Sequence, residues 1–236
     1  MNDTPSLTLP LLQPAQAQKH VTVNEALIRL DGLAQLRLKS RQLTEPPASG
    51  VVDGDCFGVA TGATGDWSGK HGKIAIGTNG GWVFAQPLSG WRAWIEDEHH
   101  TAIFLDGEWQ VGWLGGTATG AAGRIEVLGM DYVVSAGGAQ ETTLMIPKDA
   151  MVFACSARVV DTLTGTLTSW NLGVLGTPQR FGSGMGLPAG SYCTGLLSQP
   201  LSFYEQTPIR LSPVGGTLNS GSLRFALHCY RIALPV

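Results

Sequence analysis

Charge is scarce in this chain. Of its 236 residues only 14% are Asp, Glu, Lys or Arg, and the formal net charge is -3, against a charged share of roughly 25% in an average soluble protein. So little charge, and a net negative one, leaves no basic surface to neutralise phosphates, which excludes nucleic acid and anionic membranes as partners. Long apolar runs are missing as well. No stretch approaches the roughly 18 residues of a spanning helix. Pro5, Pro10 and Pro14 interrupt an N-terminus that has neither the basic start nor the apolar centre of an export leader. The expectation is a protein made in the cytoplasm and released by lysis, with no membrane insertion.

Reactive motifs are equally thin. The four cysteines, Cys56, Cys155, Cys193 and Cys229, never form a C-x-x-C pair, so zinc-knuckle and thioredoxin-like chemistry fail on spacing and reduced, buried thiols are expected. No G-x-S-x-G elbow occurs, and the glycine-rich stretch 182 to 190 lacks the lysine of a phosphate loop. The one dense ionisable cluster is Glu96, Asp97, Glu98, His99 and His100. Two carboxylates there would suit acid and base roles, or a metal with the histidines, but a solvated loop between two hairpins accounts for them more simply. The composition favours a non-catalytic module with no metal and no cofactor.

What the chain has in quantity is punctuation, with 32 glycines and 13 prolines, and a 43% apolar content to bury between them. That mixture predicts many short strands, a mainly β protein. The stretch 115 to 123, GGTATGAAG, holds no charge and no large side chain, so nothing there offsets the entropy of ordering it, and it reads as a linker. The two sides differ. Before it lie twelve acidic and eight basic side chains and six of the seven tryptophans, and after it six acidic, seven basic and Trp170 alone.

Residues 1 to 22 read as an extended arm, and 23 to 114 as a helix followed by a small Trp-rich β-hairpin domain. Thr22 and Glu25 form a capping box that opens a helix through about Ser40. Its apolar positions cover more than one stripe, so it packs on its own domain or associates with copies around a symmetry axis through Leu27, Leu30, Ala34 and Leu38. The phrase A-I-x-x-[ND]-G-x-W occurs at 75 and again at 102. Each copy predicts a type I′ hairpin at Asn79-Gly80 and Asp106-Gly107, with Trp82 and Trp109 on the returning strands. The indoles form a core or a sugar-stacking surface. From 124 to 236, about eight short runs without a helix predict an antiparallel sandwich of jelly-roll type.

The strings AQAQKHVTVNEALIRLDGLAQL, DWSGKHGKIAIGTNGGWVFAQPLSGWRAWIEDE and LDGEWQVG resemble a domain family of formerly unknown function, found in alphaproteobacterial prophage tail and spike genes and in gene transfer agents. VVDTLTGTLTSWNLGV, RFGSGMGLPAGS and LRFALHCYRI are similar to the C-terminal part of the same chains, the head-spike fibres. The resemblance implies a homotrimer on the surface of a virus-like particle, docked through its N-terminal region on a spike-base or capsid protein. Its distal jelly roll would touch the capsular polysaccharide of a recipient cell. It brings no catalytic residues. Carbohydrate candidates therefore rest on chemistry, as aromatic and amide or hydroxyl-pairing groups near loops of the second domain: Trp170, Asn171, Arg180, Tyr192, Tyr204 and Gln206. Two other functions fit the same residues, a capsule depolymerase using Glu96, Asp97 or Glu205 as acids and a purely structural connector.

Overall fold

The computed structural model describes residues 3–12 and 19–236, which divide into compact units at Trp113 and Leu114. The first unit starts with a short looped arm and the helix α1, Lys19–Ala34. Four strands, β1 Arg37–Leu38, β5 Arg92–Ile95, β6 His100–Leu105 and β7 Glu108–Val111, form one sheet in the order β1-β5-β6-β7. A second sheet orders β2 Cys56–Gly58, β3 Ile74–Thr78 and β4 Gly81–Ala85. Both hairpins are present: Asn79 and Gly80 have φ of 49° and 74°, Asp106 and Gly107 of 53° and 85°, the positive pair of a type I′ turn. Trp82 pairs with Gly77 and Trp109 with Phe104 on the returning strands.

Leu38, Ile74, Ile76, Ile95 and Phe104 join in one core, while Phe57, Trp67 and Ala75 with the partly buried Trp82 make another. The rings of Phe57, Trp67 and Trp82 lie 5.2 to 5.7 Å apart, in the edge-to-face range that adds to area burial. The indoles Trp67 and Trp109 are thus core, whereas Trp94 is 41% exposed.

The helix differs from its expectation at both ends. It begins at Lys19, a turn before Thr22, so Thr22 and Glu25 lie inside it and Glu25 instead pairs with Arg29 at 2.8 Å. It stops at Ala34, not near Ser40. From Leu36 the burial alternates, with Leu36, Leu38 and Ser40 inside and Arg37 outside, because β1 pairs in parallel with β5, Arg37 beside Trp94 and Leu38 beside Ile95. Leu38 is therefore a fully buried core residue and not part of a helical seam. Nor is the arm extended over residues 3 to 12. Asp31, buried on α1, accepts hydrogen bonds from Thr4 Oγ1 at 2.6 Å and from the Ser6 and Leu7 amides at 3.0 and 2.6 Å. These satisfy a carboxylate that burial alone would disfavour. Residues 13–18 of the expected arm lie outside the described residues.

The second unit holds ten strands. They are β8 Trp113–Gly116, which starts at the division, β9 Ala122–Val133, β10 Gln140–Ile146, β11 Ala150–Gly165, β12 Ser169–Val174, β13 Thr177–Met185, β14 Tyr192–Cys193, β15 Leu196–Phe203, β16 Thr207–Val214 and β17 Leu218–Ala233. One sheet runs β14-β11-β17-β9-β8 with β15 also on the edge of β11, and the other runs β10-β16-β12-β13. The chain thus crosses between sheets after β9, β10, β11, β13, β15 and β16, the antiparallel jelly-roll order. Alternate side chains of both sheets, among them Val152, Trp170, Leu172, Ile209, Phe225 and Leu227, meet in a single core. Residues 115 to 123, expected as a linker, end β8, turn through a Thr117 amide to Ala121 carbonyl bond of 2.8 Å, and begin β9. Backbone pairing orders a stretch whose side chains offer nothing to bury.

Candidate functional site

One face of the β11-β17-β9 sheet covers the core and the other faces out, because β17 alternates. Leu223, Phe225, Leu227 and Cys229 are buried, while Arg224, Ala226, His228 and Tyr230 point away. The register sets Met151 of β11 beside Tyr230 of β17 on one side and Ser202 of β15 on the other. Toward the strand ends this row opens into a groove of about 420 Å³, in the lower part of the size range of small-ligand sites. Its walls are Met151, Ile232, Leu234 and the tyrosines Tyr204 and Tyr230, and Asp149 and Ser202 bring the other polar groups. Tyr204 is 75% exposed. Tyr230 leans over the β9 backbone at Gly123, where a Cβ would stand 2.5 Å from its hydroxyl oxygen, so the glycine leaves the room that the ring occupies. Asp149 sits in the β10–β11 turn with φ of 57°, a left-handed conformation that Asp tolerates. An aromatic pair over an apolar floor, with one carboxylate and one hydroxyl at the rim, can cover the CH face of a sugar and accept or donate to its hydroxyls.

Of the candidates read from sequence, Tyr204 lines this groove and Gln206 is exposed on the same β15–β16 connection. Trp170 does not reach solvent: it is fully buried, and its indole Nε1 donates to the Gly186 carbonyl at 3.0 Å. The alternation of β12 turns it inward, so it cannot stack on a ligand. Asn171, 6% exposed, holds its neighbour strand by accepting the Gly184 amide at 2.9 Å, which commits its side chain to the fold. Arg180 is exposed on β13. Tyr192 is exposed on β14 with the Arg158 guanidinium 5.4 Å from its ring centre, a cation–π pair. It lies beside Arg158, seven residues along β11 from Met151, or roughly 23 Å at strand spacing. The six therefore do not converge. Asp149, Ser202 and Tyr230 were not singled out from sequence; the I-P-K-D-A turn before a strand and the alternation of L-R-F-A-L-H-C-Y-R-I are the signals that point to the first and the last.

The helix positions fare differently. Leu30 and Ala34 are exposed and Leu27 half-buried, and together with Val23 they space as four, three and four residues along α1. That stripe lies on the face opposite Gly32, which packs inward against Cys56 and Ile76.

In the first unit a cleft of about 250 Å³ is lined by Arg41, Gln42, Thr61, His71, Glu108 and Trp109. Its cation is committed: Arg41 forms two bonds of 2.8 and 3.0 Å to Glu98 and another to the Trp109 carbonyl. Burial works to raise the Glu98 carboxyl, but the hydrogen bonds from Arg41 and Gln42 outweigh it and hold the group below its usual range. Glu96 is held by Lys39 at 2.8 Å. The lowered Glu98 carboxyl is ionised at neutral pH, which is the wrong state for a general acid. Burial pushes the Cys56 thiol up to about 12 and Cys229 to about 11, and it raises Cys155 as well, so none of the three is an activated nucleophile. Among the described residues no group of three or more His, Cys, Asp or Glu side chains could hold a metal ion, and no helix is long and apolar enough to cross a membrane.

Residues 23–110 match the model of a family described as "Protein of unknown function (DUF2793)". No curated protein matches the chain. Among solved structures, a chain of the "Cyanophage Pam1 capsid asymmetric unit" is similar at 21% identity, over 50% of this chain and 91% of that one, with a TM-score of 0.35.

Proposed function

We propose that the protein is a non-catalytic attachment fibre of a virus-like particle, which binds the capsular polysaccharide of a recipient cell through its second unit. The observation that carries this reading is the groove beside Tyr204 and Tyr230, an exposed aromatic site on a jelly roll with no cation and a single carboxylate at its rim. The resemblance of the sequence to head-spike fibres supplies the particle. The α1 stripe of Val23, Leu27, Leu30 and Ala34 supplies a seam for copies of the chain, since Val23 and Leu30 are 40% and 53% exposed and their spacing is that of a short coiled coil. We assign a homotrimer to that seam, and docking on a spike-base or capsid protein to the first unit.

A shallow sugar site gives a dissociation constant near 1 mM, about -4 kcal/mol. Three such sites on one fibre, and several fibres on one particle, raise avidity by roughly 10² to 10⁴. Weak single sites suffice for attachment. Cosedimentation of the full chain with encapsulated cells and with acapsular mutants tests the reading. Capture by the capsule alone, with no reducing ends released from purified capsule over hours, is the expected result. Equal capture by both cell types contradicts it, and time-dependent release of reducing ends makes the protein a depolymerase.

A further inference from the structure

The groove has a chemical bias that goes beyond binding polysaccharide in general. No Lys, Arg or His lines it, and its one ionisable acid is Asp149. A uronic acid or other acidic sugar seated there would bring a second carboxylate to a site with no cation to offset it, and like charges brought together while water is displaced repel. Three apolar side chains, Met151, Ile232 and Leu234, line the rest, and they stand 38%, 59% and 73% exposed to water. Apolar surface left open in this way gains when a methyl group covers it. A plain hexose offers hydroxyls all round its rim and would desolvate polar groups against that wall without partners.

We propose, resting on the polysaccharide-binding reading above, that the groove selects a neutral sugar that carries a methyl group, a 6-deoxyhexose or an N-acetylhexosamine. The pyranose CH face covers Tyr204, the methyl lies against Met151, Ile232 and Leu234, and ring hydroxyls donate to Asp149 and exchange hydrogen bonds with Ser202. Tyr230, lying over Gly123, closes the apolar side. Asp149 thereby does two things at once. It accepts from hydroxyls, and it excludes acidic residues of the same polymer.

Saturation-transfer NMR on the full chain tests this with four probes at equal concentration: L-fucose, N-acetylglucosamine, glucose and glucuronic acid. Fucose and N-acetylglucosamine should take up saturation chiefly at their methyl protons and bind about fourfold or more tighter than glucose, the gain of one buried methyl, and glucuronic acid should take up none. Tyr204→Ala, which truncates an exposed side chain, should abolish the methyl signal. Asp149→Asn, tolerated at a left-handed position, should weaken the neutral sugars and admit glucuronic acid. Glucuronic acid binding as well as fucose to the wild type, or methyl signals unchanged in both variants, overturns the proposal. If the chain still captures encapsulated cells in that event, the polysaccharide reading stands and only the groove's selectivity falls. If it captures none, both fall together.

Discussion

The two units solve the same problem, enclosing a core with few charges and many glycines, by different means. The first has two small sheets and two separate clusters, and it relies on large aromatics and on buried or half-buried polar anchors such as Asp31 and the Arg41–Glu98 pair. The second has one continuous core between two sheets and depends on strand alternation, and an ion pair such as Arg224–Asp131 lies out in solvent with side chains 64% and 63% exposed. Charged side chains are therefore enclosed anchors in the first unit, whereas the buried polar anchors of the second, such as Asn171 on the Gly184 amide, are neutral.

Deleting a core aromatic should hurt most and sharpens the contrast. Trp170→Ala removes the largest buried side chain of the second unit and orphans the Gly186 carbonyl. A loss of about 3–5 kcal/mol is expected in urea unfolding monitored by far-ultraviolet circular dichroism. Next comes backbone geometry. Gly195 has φ of 58°, and a Cβ there would collide with the Cys155 carbonyl at the edge of β11, so Gly195→Ala should cost at least about 1–3 kcal/mol by the same measurement. In the first unit, Glu98→Gln should cost about 1–2 kcal/mol by breaking a charge-assisted, mostly buried pair. Because the folded carboxyl titrates below its unfolded value, the stability it contributes is fully present above about pH 4.3 and lost as pH falls through the folded value. The Asp31 carboxyl follows the same sign, since its hydrogen bonds from Thr4, Leu7 and Ser6 prevail over the burial that raises it. Acid should thus unfold the first unit ahead of the second. Six of the seven tryptophans lie there, so indole fluorescence should change at a higher pH than the far-ultraviolet signal of the sheets, and a single coincident transition would break the contrast. Asp131→Asn is the smallest change: its pair with Arg224 is fully in water, and the urea midpoint should not move.

The same contrast explains what could be read from sequence. Strand alternation across 124 to 236 and the positive-φ pairs Asn79-Gly80 and Asp106-Gly107 are local signals, and the mainly β fold with its hairpins follows from them. The end of α1 is not local. L-A-Q-L-R-L-K-S suits a helix by propensity, but Leu36 and Leu38 are taken by the parallel pairing of β1 with β5, which lies more than fifty residues on, and tertiary pairing overrides propensity. Trp170 looked like a ligand platform because it stands alone in its unit, yet solitude in sequence says nothing about which face of β12 carries it. Tyr204 was legible as an aromatic beside a turn. Its partner Ser202 stands two residues earlier, but Asp149 and Tyr230 come from two other segments, and only the jelly-roll register brings them together. The stripe of exposed Leu30 and Ala34 with half-buried Leu27 was readable from helical spacing, and Leu38 was carried along because α1 ends six residues before the expected Ser40.

Calorimetric titration of purified capsular polysaccharide into the full chain is the most direct measurement of the central claim, with Tyr204→Ala and Arg180→Ala run beside the wild type. Heat of binding for the wild type and Arg180→Ala, and none for Tyr204→Ala, is the predicted result. Undiminished binding by Tyr204→Ala would place the glycan elsewhere on the protein and contradict the assignment of the groove.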